Sequence, residues 1–277
     1  MTREANLTGR YGNWGLVAGA AEGLGRAFAV ALADRGMGVI LVDVLETALD
    51  SLAEELELGH RVPARKMVLD LASEEAVPAL MKAVGETGCR LIVYNAAFSR
   101  VKPFLEHGRE ELERYTSVNA RTPLQLVHAF ARYHAGRPSD RKGIILMSSL
   151  AGSWGTSLLG PYGATKAFSH LLAESLYHEL KGEEFDVLAC IAGATSTPGY
   201  LASNPGAGKG LMKVMTPEKV VRTSLGSLGR SPFVVPGFTN RLTYFLLSRV
   251  LPRRISVGIM DRAVKRLYRE RPVGSIR

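Results

Sequence analysis

Short, continuously apolar runs alternate with amphipathic segments along most of the chain. The apolar runs predict seven buried strands, at 14–20, 37–43, 64–71, 90–97, 142–149, 185–193 and 232–237. Apolar residues at helical spacing between them predict helices at 24–36, 45–57, about 73–86, about 109–135, around Tyr162 and near 217–228. Strands that are apolar throughout are buried on both faces, as in a parallel sheet with helices on each side. The pattern therefore predicts a single-domain α/β fold built on a doubly wound parallel sheet.

A glycine-rich turn, AGAAEGLG at 18–25, joins the first predicted strand to the first helix. Its glycines, Gly19, Gly23 and Gly25, permit positive φ and let the backbone approach a pyrophosphate, which the following helix N-terminus stabilises. A tight strand–helix turn without a ligand would use the same residues. The position of the turn at the first strand–helix junction favours a nucleotide site.

An acidic residue ends the second predicted strand. Asp43 lies where a carboxylate accepts hydrogen bonds from an adenosine ribose, and Glu22 lies within the glycine-rich turn. Two acids near that ribose would repel a 2′-phosphate, so we predict NAD rather than NADP as the cofactor. The alternatives are that Asp43 caps the next helix and that Glu22 is simply solvated.

Two tyrosine–lysine pairs have a spacing of four residues, Tyr162 with Lys166 and Tyr177 with Lys181. Residues at this spacing share a helix face, so each phenol can meet an ammonium. A nearby ammonium stabilises a phenolate and lowers the pKa of the tyrosine, which makes it a better base at neutral pH. Spacing alone does not distinguish a reactive pair from two surface residues. However, Ser149 lies thirteen residues before Tyr162, whereas an alanine has that offset from Tyr177.

These motifs and their order resemble the short-chain dehydrogenase/reductase family over about residues 12–237, which implies a Rossmann-type fold. The stretch YGNWGLVAGAAEGLGRAFA at 11–29 is similar to the branch of hydroxysteroid dehydrogenases and long-chain ketoacyl reductases. The match is inexact at three positions: Ala18 replaces the threonine of Thr-Gly-x-x-x-Gly-x-Gly, Ala97 the glycine of Asn-Ala-Gly, and Ala192 the proline of Pro-Gly-x-x-x-Thr. These differences affect residues that shape loops and leave the reacting groups in place.

The resemblance implies that Ser149, Tyr162, Lys166 and Asn119 are catalytic. Tyr162 would exchange a proton with the substrate oxygen, and Ser149 would donate a hydrogen bond to that oxygen. Lys166 would hold the nicotinamide ribose, and Asn119 a water that links Lys166 to solvent. The residues expected to bind the cofactor are Gly19, Glu22, Gly23, Leu24, Gly25, Asp43, Asp70, Leu71, Asn95, Ala96, Ala97, Tyr162, Lys166, Gly193, Thr195 and Thr197. The implied reaction is hydride transfer between NAD and a secondary alcohol or ketone.

Three loops, at 98–100, 152–156 and 198–215, are expected to lie over the nicotinamide. We predict that Ser149, Trp154, Tyr200 and Met212 bind the substrate. The third loop is rich in glycine and also carries apolar residues, as a lid over an apolar steroid, long-chain or aromatic substrate would. Its apolar residues are equally suited to ordinary core contacts.

Composition favours a soluble, cytoplasmic protein. Only two cysteines are present, the first residues have no apolar signal segment, and no apolar run reaches the ~20 residues that span a membrane. No metal site is predicted. The net charge of +9 lies mostly in the last residues, since 237–277 hold ten Lys and Arg against two acids. The rest of the chain is close to neutral, which disfavours a nucleic-acid-binding domain.

The basic C-terminal segment 238–277 predicts two short helices broken at Pro252, as an extension of the catalytic and dinucleotide-binding unit 1–237. In the second helix an apolar stripe, composed of Ile255, Ile259, Ala263 and Leu267, faces away from most of the cations. Such a helix could lie on the anionic inner surface of a membrane. We favour packing of the stripe on its own domain or on a partner subunit.

Two further hypotheses compete with the oxidoreductase. A catalytically idle nucleotide sensor or interaction protein could use the same fold, although a sensor needs no proton donor. A nucleic-acid module on the basic tail lacks aromatic interleaving, so no nucleic acid partner is expected. The family resemblance also implies a homodimer or homotetramer in which helices at about 109–135 and 162–181 pair across a two-fold axis.

Overall fold

The computed structural model describes residues 7–136, 141–203 and 214–268. Its strands are β1 (Trp14–Ala18), β2 (Gly38–Asp43), β3 (Ala64–Val68), β4 (Leu91–Tyr94), β5 (Lys142–Ser149), β6 (Phe185–Ala192) and β7 (Phe233–Val234). They form one sheet in the order β3-β2-β1-β4-β5-β6-β7, with every neighbouring pair parallel. The strand order reverses between β1 and β4, the point at which doubly wound sheets bind ligands. The predicted Rossmann-type α/β fold is confirmed.

Eleven α-helices connect or follow these strands within the described residues. They are α1 (Leu7–Tyr11), α2 (Gly23–Ala33), α3 (Glu46–Glu55), α4 (Ala76–Thr87), α5 (Arg109–Thr116), α6 (Thr122–His134), α7 (Gly160–Glu179), α8 (Pro198–Ala202), α9 (Pro217–Ser227), α10 (Phe238–Phe245) and α11 (Arg253–Leu267). The last strand is shorter than predicted because Pro232 and Pro236 flank it and cannot donate to a sheet.

Side chains alternate between the two faces of the sheet. Val17, Val39 and Leu41 pack into one buried apolar cluster, whereas Leu16 and Ile40 pack into another on the opposite face. Helices α2 and α9 pack against each other on the first face, and α4 and α6 do so on the second. Burial on both faces explains why the inner strands are continuously apolar. The prediction of a buried strand is wrong for β3, because this strand lies at the edge of the sheet and has no buried residue.

The predicted helix at 109–135 has a π-helical turn at its centre. Residues Ser117–Arg121 form this wider turn between α5 and α6, and Asn119 lies in its middle. Such turns locally disturb the regular i to i+4 hydrogen bonding and are frequent at functional sites. The turn sets the side chain of Asn119 within the protein, with 2% of its surface exposed.

The C-terminal segment folds back on the carboxyl end of the sheet. A π-helical turn, Leu246–Val250, follows α10, and the chain breaks at Pro252 before α11, as predicted. Met260 of α11 and Leu247 join a third apolar cluster with Leu150 of the β5–α7 loop. No helix among the described residues combines the length and apolar character needed to cross a membrane.

Candidate active site

The glycine-rich turn between β1 and α2 is packed too closely for side chains. A Cβ atom on Gly25 would lie 1.7 Å from the carbonyl oxygen of Gly19. Gly19 itself has φ of +79°, and its Cβ would lie 2.7 Å from the backbone of Ala96. The amide of Asn95 donates to the Gly19 carbonyl at 2.8 Å, which joins the turn to the end of β4. Glycine is therefore required at Gly19 by conformation and by space, and at Gly25 by space alone.

A cleft of about 370 Å³ lies against this turn. The predicted cofactor residues of the turn line it, except Gly25, which packs behind it. Asp43, Asp70 and Leu71 line its other side, together with residues 95–97 and Thr197. These residues come from the ends of four parallel strands and so meet at one edge of the sheet.

Asp43 joins the end of β2 to the glycine-rich turn. One carboxylate oxygen accepts from the Ala21 N–H at 3.0 Å, and the other accepts from the Val44 N–H at 2.8 Å and the Leu45 N–H at 3.3 Å. The bonds to Val44 and Leu45 shape the turn before α3 and do not cap the helix, because both donors precede its first residue and no side chain caps its N-terminus. The residue also lines the cleft, and the alternative that it caps the next helix is wrong.

Asp70 is paired with an arginine that sequence reasoning did not identify. The guanidinium of Arg114 donates to both carboxylate oxygens, at 3.0 and 3.1 Å. Burial acts to raise the pKa of Asp70, but the Ala72 N–H and the Arg114 guanidinium outweigh it and hold that pKa below its ordinary value. The only sequence signal for Arg114 was its place in the first predicted turns of the helix after strand four.

A second cavity, of about 590 Å³, opens beside the cleft. Ser149, Tyr162 and Lys166 line it, as predicted, together with Gly193 and Thr195. The wall is built by the last residue of β5, the first two turns of α7 and the end of β6. The side chain of Ser149 on β5 thus shares one surface with those of Tyr162 and Lys166, which are one turn apart on α7.

The Ser149 hydroxyl is held at the end of β5. It accepts a hydrogen bond from the Ala151 N–H at 3.2 Å, which leaves its own hydrogen to donate. Ala192, which replaces the proline of the family motif, is the residue paired with Ser149 across β5 and β6. The substitution lets β6 continue as regular strand to the site, since alanine has the N–H that proline lacks.

Lys166 is buried one turn after Tyr162. Its ammonium nitrogen donates to the Met147 carbonyl at 2.8 Å and lies 5.8 Å from the centre of the Tyr162 ring. Burial lowers the pKa of Lys166 to about 8. Burial also raises the pKa of Tyr162, and the interaction of its phenol with the Ser149 hydroxyl acts in the opposite direction. Without a ligand the tyrosine therefore keeps its proton at neutral pH.

Asn119 joins three segments around the cavity. Its side-chain oxygen accepts from the Phe98 N–H at 2.7 Å, while its nitrogen donates to the Phe98 carbonyl at 2.8 Å and to the Thr165 hydroxyl at 3.0 Å. Both hydrogens of the amide nitrogen are thus used. The side chain fixes the loop after β4 against α7, next to Lys166.

The second tyrosine–lysine pair lies away from both cavities. Tyr177 packs against the apolar cluster between the sheet and α7, and its ring meets that of His178 edge to face. Lys181 is exposed beyond the end of α7, in a short 3₁₀ turn. Neither residue lines the cleft or the cavity.

The predicted substrate residues have different positions. Tyr200 and Ser149 line the cavity, whereas Met212 lies outside the described residues. Trp154 does not line the cavity: its side chain is 3% exposed and packs against Tyr244, with ring centres 5.8 Å apart. The expectation for Trp154 is corrected by this packing, because the indole fills the third apolar cluster.

Helix α11 supplies a wall of the cavity that sequence reasoning missed. Met260, Val264, Leu267 and Tyr268 face the cavity. Of the predicted stripe, only Leu267 does so, and Ile255 is 49% exposed. The apolar stripe is therefore rotated from its predicted position.

Two hydrogen bonds of polar side chains fix the orientation of α11. The buried Ser256 hydroxyl donates to the Leu247 carbonyl at 2.7 Å, and the Asp261 carboxylate accepts from the Ser157 N–H at 2.8 Å. Polar residues thus face inward at two positions of the helix. The helix packs on its own domain, the arrangement that we favoured over a membrane contact.

Comparisons with known proteins agree with this geometry. The family model described as short chain dehydrogenase matches residues 13–206. The chain is 32% identical over 239 residues to the 7beta-hydroxysteroid dehydrogenase of Collinsella aerofaciens, covering 85% of this chain and 90% of that protein. The enzyme of the same name from Clostridium sardiniense is 31% identical over 236 residues, with the same coverage. The very-long-chain 3-oxoacyl-CoA reductase of Neurospora crassa is 28% identical over 287 residues, covering 95% and 83% of the two chains.

A solved structure supports the same relationship. A 7beta-hydroxysteroid dehydrogenase studied for its stereoselectivity superimposes with a TM-score of 0.83 and 29% identity, over 92% of this chain and 99% of that one. The family match covers the cleft, the glycine-rich turn and the Ser149, Tyr162 and Lys166 wall. The protein therefore belongs to the short-chain dehydrogenase family, as an oxidoreductase that uses a nicotinamide cofactor to interconvert alcohols and ketones.

Proposed function

We propose that the protein is an NAD-dependent dehydrogenase that interconverts a secondary alcohol and a ketone on a large apolar substrate of the steroid type. One observation carries this proposal: the cavity has Ser149, Tyr162 and Lys166 on one wall and apolar residues of α11 on another. The names of the 7beta-hydroxysteroid dehydrogenases at 31–32% identity support the substrate class.

The residues around the cleft fit a dinucleotide. Gly19, Glu22, Gly23 and Leu24 line the cleft at the N-terminus of α2, where backbone N–H groups can meet a pyrophosphate. We assign Glu22, Leu24, Asp43, Asp70 and their neighbours at the strand ends to the adenosine half. Tyr162, Lys166, Gly193, Thr195 and Thr197 would surround the nicotinamide half. When bound, the nicotinamide accepts or supplies the hydride.

Tyr162 then moves the proton. In ketone reduction its phenol, which burial keeps protonated, donates to the substrate oxygen as negative charge develops there. Ser149 donates a second hydrogen bond to the same oxygen. In alcohol oxidation the phenolate takes the hydroxyl proton, and the Lys166 ammonium stabilises that phenolate. Asn119 fixes the loop after β4 against α7, the helix that carries Tyr162 and Lys166.

Charges in the cleft support NAD over NADP. Among the described residues that line it, the charged ones are Glu22, Asp43, Asp70 and Arg114. The single cation of this set, Arg114, is already bound to Asp70. A ribose 2′-phosphate would thus meet carboxylates with no unpaired cation on the lining to compensate for its charge.

We further propose that the protein is a homo-oligomer in which α6 and α7 pair with those of a second copy, as the family resemblance implied. Leu124 on α6 is 44% exposed and Leu171 on α7 is 62% exposed. Large apolar side chains that are this exposed favour a partner. The extension from residue 238 is part of the same unit in this proposal, because α11 closes the substrate cavity.

A cofactor and substrate screen tests the proposal. Purified protein is mixed with steroid alcohols and ketosteroids, with smaller secondary alcohols for comparison, and with NAD(H) or NADP(H), while absorbance of the reduced nicotinamide is followed. We expect turnover of the steroid compounds with NAD(H). No turnover of any steroid with either cofactor, while smaller alcohols react, would reject the substrate class.

A further inference from the structure

The described residues that line the substrate cavity carry a net positive charge. Among the described residues that line it, the charged ones are Lys166 and Arg100, and no carboxylate accompanies them. Lys166 is buried, donates to the Met147 carbonyl and belongs to the cofactor and proton-transfer end of the cavity in the proposed function. Arg100, in the loop after β4, is thus the cation left to meet a ligand.

The backbone of Arg100 is held firmly. Its N–H donates to the Tyr115 hydroxyl at 2.6 Å, and that hydroxyl donates in turn to the Arg100 carbonyl at 3.1 Å. Tyr115 is 1% exposed and packs edge to face against Phe98, with ring centres 4.9 Å apart. Asn119 fixes Phe98 through both of its backbone groups. The loop therefore presents Arg100 from a rigid base.

The guanidinium of Arg100 has neutral partners. It lies 4.8 Å from the centre of the Phe98 ring and donates to the Ser99 carbonyl at 3.2 Å. Among the described residues no carboxylate lies within ion-pair distance of it. Arg114 provides a contrast, because it approaches the same ring at 5.9 Å but is paired with Asp70. Five N–H donors in a planar fork, most of them unused, match a carboxylate.

We propose that Arg100 binds an anionic substituent of the substrate. The substrate class is then an apolar alcohol or ketone that carries a carboxylate away from the reacting carbon. This inference rests on the proposed function, since it uses the same cavity. Ser149 and Tyr162 hold the reacting oxygen, the α11 wall contacts the apolar body, and Arg100 pairs with the carboxylate. Arg100 therefore determines specificity and takes no part in proton or hydride transfer.

Calorimetric titration of the NAD-loaded protein tests the inference. The probes are a steroid alcohol with a side-chain carboxylate and the methyl ester of the same compound, which differ only in that charge. We expect the wild type to bind the carboxylate about tenfold or more tightly than the ester, because charge-assisted hydrogen bonds are the strong ones. Arg100→Gln should lose this preference and bind the ester unchanged, and Arg100→Lys should keep part of it.

Arg109→Gln is the matched control, because that side chain is 91% exposed and does not line the cavity. It should keep the preference of the wild type. Equal binding of both probes by the wild type, or an equal loss of both probes in Arg100→Gln with an unchanged circular dichroism spectrum, would overturn the inference.

Kinetics separate this inference from the proposed function. We expect the wild type and Arg100→Gln to turn over both probes with the same kcat, and the variant to have a raised KM for the carboxylate alone. This result would support both the proposed reaction and the role of Arg100. Turnover that is equally efficient for both probes in the wild type rejects the role of Arg100 and leaves the dehydrogenase intact. Arg100-dependent binding without turnover of either probe rejects the proposed reaction alone.

Discussion

The ammonium nitrogen of Lys166 lies 5.8 Å from the centre of the Tyr162 ring and is held there by the Met147 carbonyl, 2.8 Å away. Burial acts against the charged form of each residue, so it raises one pKa and lowers the other. The Tyr162 phenolate and the Lys166 ammonium have opposite charges, so each stabilises the other. Phenolate and ammonium are thus favoured together, at the moment when a substrate proton is transferred.

The two tyrosines at equal spacing from a lysine should differ sharply in their effect on rate. Tyr162→Phe removes the proton path and should lower kcat by ~10²–10⁴. Tyr177→Phe is the control, because it removes the same hydroxyl from the same helix outside the cavity. Steady-state kinetics on a confirmed substrate measure both variants. Near-native turnover by Tyr162→Phe would reject the mechanism.

The lowered pKa of Lys166 predicts a pH dependence of stability. The ordinary pKa of 10.5 applies in the unfolded chain, and about 8 applies in the folded protein. Between these values the unfolded state binds more protons, so the free energy of unfolding should rise with pH across this window. Below pH 8 both states are protonated and the full cost of burying the ammonium remains.

Comparison with Lys166→Met isolates that effect, since methionine fills similar space without a charge. Denaturant titrations of both proteins from pH 7 to pH 11 give the difference in free energy of unfolding. Below pH 8 the wild type should have the lower free energy of unfolding of the two proteins. From pH 8 to about pH 10.5 this difference should become smaller as the pH rises. A difference that is constant with pH would show that Lys166 keeps an ordinary pKa.

Cofactor preference should follow the carboxylate of Asp43. The wild type should bind NAD at least about tenfold more tightly than NADP, which is about 1.4 kcal/mol. The double variant Asp43→Ser with Val44→Arg should reverse this order, because Val44 is half exposed on the cleft lining. Val44→Ala alone should keep the preference for NAD. Equal affinities for both cofactors in the wild type would contradict the assignment.

Assembly should depend on α7 rather than on α10. Leu171→Glu puts a charge on the exposed face of α7 and should convert the oligomer to monomers in light scattering. Phe245→Glu makes the same kind of change on α10, where Phe245 is 55% exposed, and should leave the mass unchanged. The reverse result would place the interface on the C-terminal helices.

The α11 wall should control the size of the substrate. Met260→Trp adds bulk on the cavity side of the helix and should raise KM for steroid substrates while leaving small ketones unaffected. Ile255→Trp adds a side chain of the same size on the exposed side of the helix and should leave KM unchanged for steroid substrates and for small ketones. An equal effect on large and small substrates would instead indicate a general disturbance of the helix.

The sequence predicted where most of the proposed site residues lie, because motifs that resemble those of the family fall at the strand ends and on one helix. The glycine-rich turn, Ser149 and the Tyr162 pair each lie at a strand end or on a helix that periodicity predicts, and the family resemblance assigns their roles. A parallel sheet then brings strand ends to one edge whatever their order. The strand order itself, and with it the two cavities, depends on contacts between distant residues that no local pattern contains.

The errors have physical causes. Trp154 was expected at the substrate because its loop lies near the site, but an indole is large enough to be drawn into the nearest apolar cluster. The stripe on α11 was misplaced because Ser256 and Asp261 face inward to meet the Leu247 carbonyl and the Ser157 N–H. Polar residues that satisfy buried backbone groups have no signature in a hydrophobic pattern.

The position of α11 after the cofactor cleft along the chain has a consequence for how the protein is made. Synthesis runs from the N-terminus, so every residue that lines the cofactor cleft, up to Gly199, leaves the ribosome about sixty residues before Met260. A nascent chain can therefore complete its nucleotide cleft while its substrate cavity still lacks one wall. Dinucleotide binding at that stage would stabilise the sheet early, and α11 would then dock onto a surface that is already formed.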